Sequence, residues 1–117
     1  MKESLLYTKS MNFAIRCVNF YNYLKVEKNE YILSKQLLRS GTSIGANIRE
    51  SRFAQSPADF ENKLSIALKE AEETQYWIEL LYHSNLISET EYKSIHVDAG
   101  EMVALLLSSL KTYKKQQ

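Results

Sequence analysis

The sequence has few of the residues that interrupt helices, with one proline and three glycines among 117 residues. Sheet proteins use glycine-containing pairs to close hairpin turns, so this scarcity argues against a fold of short strands. The length suits one domain, and a chain of this size buries an apolar core without help from metals or disulfides. We therefore expect residues 1–117 to form a single all-α domain.

The single cysteine, Cys17, excludes an internal disulfide. Since no apolar leader follows the start of the chain, a lone cysteine points to a reducing compartment, and we expect the protein in the cytoplasm. Cys17 shares an apolar turn with Ile15 and Val18, so we expect it to be an inert core residue and not a reactive thiol. No run approaches the roughly 18 apolar residues of a membrane span, so no membrane partner is expected.

Breaks in the apolar pattern divide the chain into four helical segments. The first spans about 4–26 and the second about 30–55, with Asn29 as the expected N-cap of the second. The run 56–59, Ser-Pro-Ala-Asp, is a strong start signal for the third segment. Ser88 and the glutamate three residues later form a capping box that opens the fourth. Short connections between long helices predict an antiparallel, up-down-up-down four-helix bundle.

The first segment carries two adjacent apolar stripes, whereas a bundle helix needs an apolar arc of only a little over about 100°. One stripe contains Met11, Ala14, Ile15 and Val18, and the other contains Leu6, Phe13, Cys17, Phe20 and Leu24. The core of a single bundle needs only one of these two stripes. We therefore expect a homo-oligomer in which the first helix contributes to the subunit interface.

The second segment combines two glycines with a polar ridge at helical spacing. The ridge consists of Arg39, Ser43, Asn47 and Glu50. Glycines four residues apart remove side chains from one face and let a neighbouring helix approach closely. A phosphate-binding loop is disfavoured, because the glycines are one residue too close, no lysine follows and no strand precedes. Tight helix packing beside a buried polar network is the favoured interpretation.

The third segment supplies acids for this ridge. Glu70 and Glu73 share a helical line with Trp77, so their carboxylates are expected to be half-buried and to need donors. Arg39 and Asn47 are the natural donors, and an Arg–Glu pair would fix the register of the two helices. Loss of Arg39 or Glu70 is then expected to lower stability by a few kcal/mol.

The patterns that accompany catalysis are missing. A di-iron bundle needs Glu-x-x-His on two helices, whereas Glu79 and His83 are four apart and no glutamate lies three residues before His96. Cys17 and the histidines fall on different segments without a nucleophile signature. We expect neither a metal nor a cofactor, no small-molecule substrate and no enzymatic activity.

Charge is segregated along the chain although the formal net charge is only +1. Residues 1–58 hold nine basic and four acidic side chains, residues 59–110 hold three and ten, and the last seven residues add three lysines. A dipolar surface of this kind can bind an anion locally. The candidate RNA- or anion-binding residues are Arg16, Lys35, Arg49, Arg52, Lys111, Lys114 and Lys115. Alternatively, these charges pair between helices and form a solvated face.

Several stretches together resemble a known family. They are the run from Gln36 to Glu50, Asp59-Phe60, Lys63-Leu64, the stretch 66–71, Glu73 and Tyr76-Trp77. This pattern closely resembles the small bacterial four-helix-bundle proteins that are encoded in intervening sequences of 23S rRNA genes and are often labelled ribosomal. It is also similar to the accessory protein of diversity-generating retroelements. The resemblance covers nearly the whole chain.

The resemblance implies a bundle that assembles into a ring-like homopentamer without catalytic residues. In the retroelement relative, a basic surface of the pentamer engages RNA and the reverse transcriptase. The positions that match the family pattern are expected to be structural; they are Arg39, Ser43, Asn47, Glu50, Glu70, Glu73 and Trp77. Two functions remain open: an RNA-binding accessory protein, or a scaffold for a protein such as a reverse transcriptase, with no direct nucleic-acid role.

Overall fold

The computed structural model describes the backbone of residues 2–116 and the side chains of residues 5–116. Its helices are α1 (Lys2–Lys28), α2 (Leu33–Ser51), α3 (Pro57–His83) and α4 (Glu89–Lys115). Each helix packs on the next one in sequence, and α4 returns to contact α1. The expected up-down four-helix bundle is therefore confirmed, and the described residues include no strand. None of these helices is long and apolar enough to cross a bilayer.

One apolar cluster fills the space between the helices. Its largest members are less than 2% exposed; they are Leu24, Leu37, Ile44, Ile78, Leu81, Ile95, Met102 and Leu106. Burying a side chain of this size contributes roughly 1.5–3 kcal/mol. Because all four helices contribute to this cluster, it fixes their mutual arrangement.

Only one of the two apolar stripes of α1 reaches the core. Leu6, Phe13 and Cys17 are buried, as is Leu24 one turn after Phe20. The other stripe stays at the surface, where Met11, Ile15 and Val18 are 42%, 51% and 41% exposed. The excess of apolar surface expected for α1 is thus present in the folded chain.

The connection between α1 and α2 corrects the sequence prediction. Asn29 is not the N-cap of α2; it ends α1 with a φ of 54°, in the left-handed region that asparagine tolerates. The carboxylate of Glu30 instead accepts hydrogen bonds from the backbone amides of Ile32, Leu33 and Ser34 at 3.1, 3.0 and 2.8 Å. Glu30 thus satisfies three amide groups that have no partner within α2.

The second helix also ends earlier than predicted, at Ser51 and not near residue 55. The amides of Arg52, Phe53 and Ala54 each bond to a carbonyl three residues back, which closes the chain into a tight turn. This turn leads directly into the serine cap of α3. Its position determines where the side chains of Arg52 and Phe53 emerge.

The predicted starts of α3 and α4 are both confirmed. The hydroxyl of Ser56 accepts from the amide of Asp59 at 3.1 Å, and Pro57 occupies the first turn. At α4, Ser88 and Glu91 bond reciprocally at 3.1 and 2.7 Å, as a capping box requires. These two helices were predictable because their caps are local sequence features.

Candidate nucleic-acid and assembly surfaces

A polar network crosses the seam between α2 and α3. The guanidinium of Arg39 bonds to the carboxylate of Glu73 and lies 3.5 Å from that of Glu70. The indole Nε1 of Trp77 donates to Glu73 at 3.0 Å. The side chains of Arg39, Glu70 and Glu73 are 48%, 19% and 36% exposed, so the network seals the rim of the seam and does not lie in the core.

The rest of the polar ridge plays different roles from those expected. Asn47 does not reach a carboxylate of α3, because its Nδ2 donates to the carbonyl of Ser43, four residues back in its own helix, at 2.9 Å. Ser43 likewise donates to the carbonyl of Arg39 at 2.7 Å. The second ion pair across the seam is formed by Glu50 and Lys63, whose Nζ and Oε1 atoms are 3.0 Å apart.

Below this network lies a buried pair of hydroxyl groups that was not predicted from the sequence. Ser40 and Thr74 are fully buried and their hydroxyl oxygens lie 2.8 Å apart. Thr74 also donates to the carbonyl of Glu70 at 2.7 Å. The signal was present in the sequence, since Ser40 lies at helical spacing between Leu37 and Ile44, and Thr74 lies at helical spacing between Ala71 and Ile78. The pair ties the α2–α3 contact together inside the core.

The structure separates the seven candidate anion-binding residues into three groups. Arg16 is engaged with α4, where it bonds to the carbonyl of Ser94 at 2.9 Å and to Asp98 at 2.6 Å. Lys35 lies in the first turn of α2, at the opposite end of that helix from Arg49. Neither belongs to a common patch with the others. The remaining five are Arg49, Arg52, Lys111, Lys114 and Lys115.

These five residues share the end of the bundle where α2 ends, α3 begins and α4 ends, which we call the basic end. The hydroxyl of Tyr113 donates to the carbonyl of Pro57 at 2.9 Å, which ties the end of α4 to the start of α3. The guanidinium of Arg52 lies 4.4 Å from the ring centre of Tyr7 in α1. Arg49 and Tyr7 also line one small surface groove of about 240 Å³ between α1 and α2.

The acidic side chains described at the basic end already form ion pairs or hydrogen bonds with neighbouring residues. Glu50 pairs with Lys63, and Glu61 lies 3.7 Å from Lys114. Asp59 accepts from the amide of Gln55 at 3.2 Å and sits in the first turn of α3. Within residues 5–116, no carboxylate pairs with the remaining four cations, Arg49, Arg52, Lys111 and Lys115. Among the side chains that the structure describes, the basic end therefore presents uncompensated positive charge.

A cavity of about 930 Å³ opens at the basic end beside Arg52. Leu6, Ile48 and Leu64 supply apolar walls, and the rings of Phe60 and Tyr113 contribute an aromatic pair with centres 4.8 Å apart. Serine and threonine residues also line it, namely Ser51, Ser56, Ser109 and Thr112. The cavity thus combines apolar and aromatic surfaces with a few polar groups, the usual composition of a small-ligand pocket.

The described chain shows no constellation that resembles an active site. No three ligands of the histidine, cysteine or carboxylate type come together among the described residues. His96 bonds Glu79 at 2.9 Å across α3 and α4, beside the ring of Tyr92. Burial raises the pKa of the Cys17 thiol to about 12, which suppresses its reactivity.

Comparison with known proteins gives the chain a family. The sequence profile described as "23S rRNA-intervening sequence protein" matches residues 2–108. A crystal structure from Bacteroides thetaiotaomicron VPI-5482, described as a protein with unknown function from the S23 ribosomal protein family, is similar at 55% sequence identity. The similarity covers 95% of this chain and 99% of that one, with a TM-score of 0.93. No curated protein matches. This chain belongs to the 23S rRNA-intervening sequence protein family.

Proposed function

We propose that this protein is a non-enzymatic, cytoplasmic accessory protein that assembles through α1 and binds RNA at its basic end. The observation that carries the proposal is the set of uncompensated cations there, Arg49, Arg52, Lys111 and Lys115, beside acids that are already paired or capping. Lysine and arginine that neutralise phosphates supply most of the affinity of a protein for nucleic acid. The family name, which refers to an intervening sequence of rRNA, fits the same ligand class.

Assembly explains how a chain with a net charge of only +1 binds a polyanion. The exposed stripe of Met11, Ile15 and Val18 forms an apolar face on α1 that a second copy would cover. A closed ring, the pentamer of the resembling proteins, would repeat the basic end five times. Several weak basic sites on one particle bind one RNA far more tightly than one site does.

The alternative is a scaffold that binds a protein such as a reverse transcriptase and no nucleic acid. Apolar side chains at the other end of the bundle favour it, since Val26, Tyr31 and Ile32 are 72%, 58% and 70% exposed. Exposed apolar patches of this kind mark protein interfaces. The uncompensated arginines of the basic end bind RNA in the first function and have no such role in the second, so reversing their charge distinguishes the two.

Binding of structured RNA by the purified protein tests the proposal, measured by fluorescence anisotropy at several salt concentrations. We expect affinity to fall steeply with salt and to be lost in Arg49→Glu/Arg52→Glu. The matched control, Lys35→Glu/Lys69→Glu, makes the same change in net charge away from the basic end and should retain most of the affinity. Absence of RNA binding at low salt, or equal loss in both variants, contradicts the proposal and favours the scaffold.

Light scattering after size exclusion tests assembly. We expect a particle of about five times the 13.6 kDa chain mass, and we expect Ile15→Glu to break it because a charge then enters the apolar face. Val97→Glu is the control, since Val97 is 68% exposed on α4, away from that face. A wild-type monomer at micromolar concentration would exclude assembly through α1.

A further inference from the structure

We propose that the basic end binds unpaired nucleotides of RNA, with Phe53 as a stacking surface and the neighbouring cavity as the receptor for a base. This inference rests on the proposed RNA binding and specifies its substrate class. Two observations carry it independently of the charge: an exposed aromatic ring in the α2–α3 turn, and an apolar cavity with aromatic walls at the same end of the bundle.

Phe53 is 76% exposed, more than any other large apolar side chain described. It follows Arg52 directly, and its amide bonds to the carbonyl of Glu50 at 3.0 Å, so the tight turn holds its backbone in place. Within residues 5–116 its ring contacts no other ring. A solvated phenylalanine next to the uncompensated Arg52 matches the surfaces on which single-stranded nucleic acids stack their bases.

Arg52 adds a second flat surface to this site. Its guanidinium is held over the ring of Tyr7 at 4.4 Å, and the residue is nevertheless exposed to solvent. A planar guanidinium can stack on a base or bond a phosphate in a bidentate manner, which a lysine cannot do. The order Arg52-Phe53 thus places a phosphate-binding group next to a base-stacking group.

The cavity has the size and the apolar and aromatic walls to receive a base. Its volume of about 930 Å³ lies within the range of small-ligand sites. Its walls are apolar or aromatic, with Leu6, Phe60 and Tyr113 among them, and hydroxyl groups are interspersed. A flat, weakly polar base fits such walls, and Arg52, which also lines the cavity, can bond the phosphate next to that base.

These features favour single strands over duplexes. In a duplex the faces of the bases are covered by their neighbours, and the deep, narrow major groove of A-form RNA does not admit side chains. Phe53 and the cavity would then contribute nothing, and only the cations would bind. Unpaired nucleotides can use the cations, the ring and the cavity together. The protein should therefore prefer single strands to duplexes, and it should not prefer a particular sequence.

Anisotropy titrations with an unstructured RNA of about 20 nucleotides and a duplex of equal length test the inference in the assembled protein. We expect the wild type to bind the single strand about tenfold more tightly than the duplex, within the range that base stacking contributes. Phe53→Ala should remove most of this preference while leaving duplex affinity and the salt dependence unchanged. The control is Tyr31→Ala, which deletes a 58% exposed aromatic ring at the opposite end.

A fluorescent adenine analogue within the single strand provides a readout of base stacking that does not depend on the charge of the protein. Its emission should be quenched on binding to the wild type and to Tyr31→Ala, and far less on binding to Phe53→Ala. Equal affinity for single strand and duplex, or no effect of Phe53→Ala, overturns the inference while leaving RNA binding intact. A change in particle mass in Phe53→Ala also overturns it, because Phe53 is then a subunit contact. Failure to bind either RNA overturns the proposed function, and this inference with it.

Discussion

The sulfur of Cys17 in α1 occupies the space that a side chain at position 41 of α2 would need. A methyl carbon added to Gly41 would collide with this sulfur and lie 3.1 Å from the Cβ of Cys17. Both residues are buried. At Gly45, one turn later, an added carbon would lie 3.2 Å from the hydroxyl of Ser10. The close approach expected at the two glycines is therefore confirmed, and α1 is the helix that approaches.

We expect Gly41→Ala to lower the free energy of unfolding by about 2 kcal/mol, the usual effect of overpacking a core. This loss should appear although alanine is the better helix former by up to about 1 kcal/mol. Combining it with Cys17→Ala removes the sulfur that collides, so the double variant should be more stable than Gly41→Ala alone. Urea denaturation of the four proteins in this cycle measures the coupling.

Gly100→Ala in α4 is the matched control, because an added carbon there would lie 3.7 Å from the nearest atom, the Nε2 of Gln75. That distance is an ordinary contact, so this variant should be neutral or more stable than the wild type. Purely additive effects of the substitutions at positions 17 and 41 would contradict the proposed collision.

The seam between α2 and α3 leads to a second prediction. Arg39→Ala and Glu73→Ala should each lower stability by about 1 kcal/mol, and their coupling should be about 0.5 kcal/mol or more. This is less than the few kcal/mol expected from sequence, because Arg39 is 48% exposed and water compensates much of a lost partner. Glu73→Gln should be milder than Glu73→Ala, since the amide oxygen can still accept from Trp77. A cycle without coupling would show that the Arg39–Glu73 pair is not stabilising.

Local patterns explain why much of the fold was predictable and where prediction failed. The caps at Ser56 and Ser88 are defined within four residues, and both are correct. The cap of α2 was missed because the glutamate side chain of Glu30 performs a role that shorter residues such as Asn29 usually have. The partner of Asn47 was also missed, since a short amide bonds its own helix as readily as the next one.

Which basic residues come together in the candidate site depends on distances between helices, and the sequence determines these distances only in part. Up-down topology alone separates Lys35 from Arg52, because 17 residues of helix span about 25 Å. The pairing of Arg16 with Asp98 required the actual rotation of α1 and α4 about their axes. The exposure of Phe53 depends on the residue at which α2 ends, and helix ends are the least predictable feature of a sequence.

Glu30 leads to a third prediction, which concerns acid stability. Burial acts to raise the pKa of Glu30, but the hydrogen bonds from the amides of Leu33, Ser34 and Ile32 outweigh it, so the pKa lies below its ordinary value of 4.5. A carboxylate with a lowered pKa stabilises the fold above its unfolded pKa, and this contribution is lost as the pH falls through the folded pKa. Glu30→Gln should therefore lower the free energy of unfolding by about 1 kcal/mol near neutral pH, as lost helix caps do.

The gap between wild type and Glu30→Gln should close in acid, once Glu30 is protonated in the folded wild type. Thermal unfolding followed by circular dichroism across this pH range measures it. Glu27→Gln serves as the control, because Glu27 is exposed in the last turn of α1, where a negative charge faces the negative end of the helix dipole. A constant gap at all pH values would mean that the charge of Glu30 does not stabilise α2.

The fourth prediction concerns alkaline pH and Cys17. Burial raises the pKa of the Cys17 thiol from 9.0 to about 12, and nearby Arg16 only partly opposes this. Above about pH 9 the unfolded chain loses the thiol proton and the folded chain keeps it, so stability falls by about 1.4 kcal/mol per pH unit until the folded thiol also ionises. Cys17→Ala has no thiol to ionise, so the difference in stability between wild type and variant should shrink by about 1 kcal/mol between pH 9 and 10. Urea unfolding at the two pH values tests this prediction. Rapid labelling of the folded wild type by a thiol reagent near neutral pH would contradict it, because a buried, protonated thiol reacts only when the bundle opens.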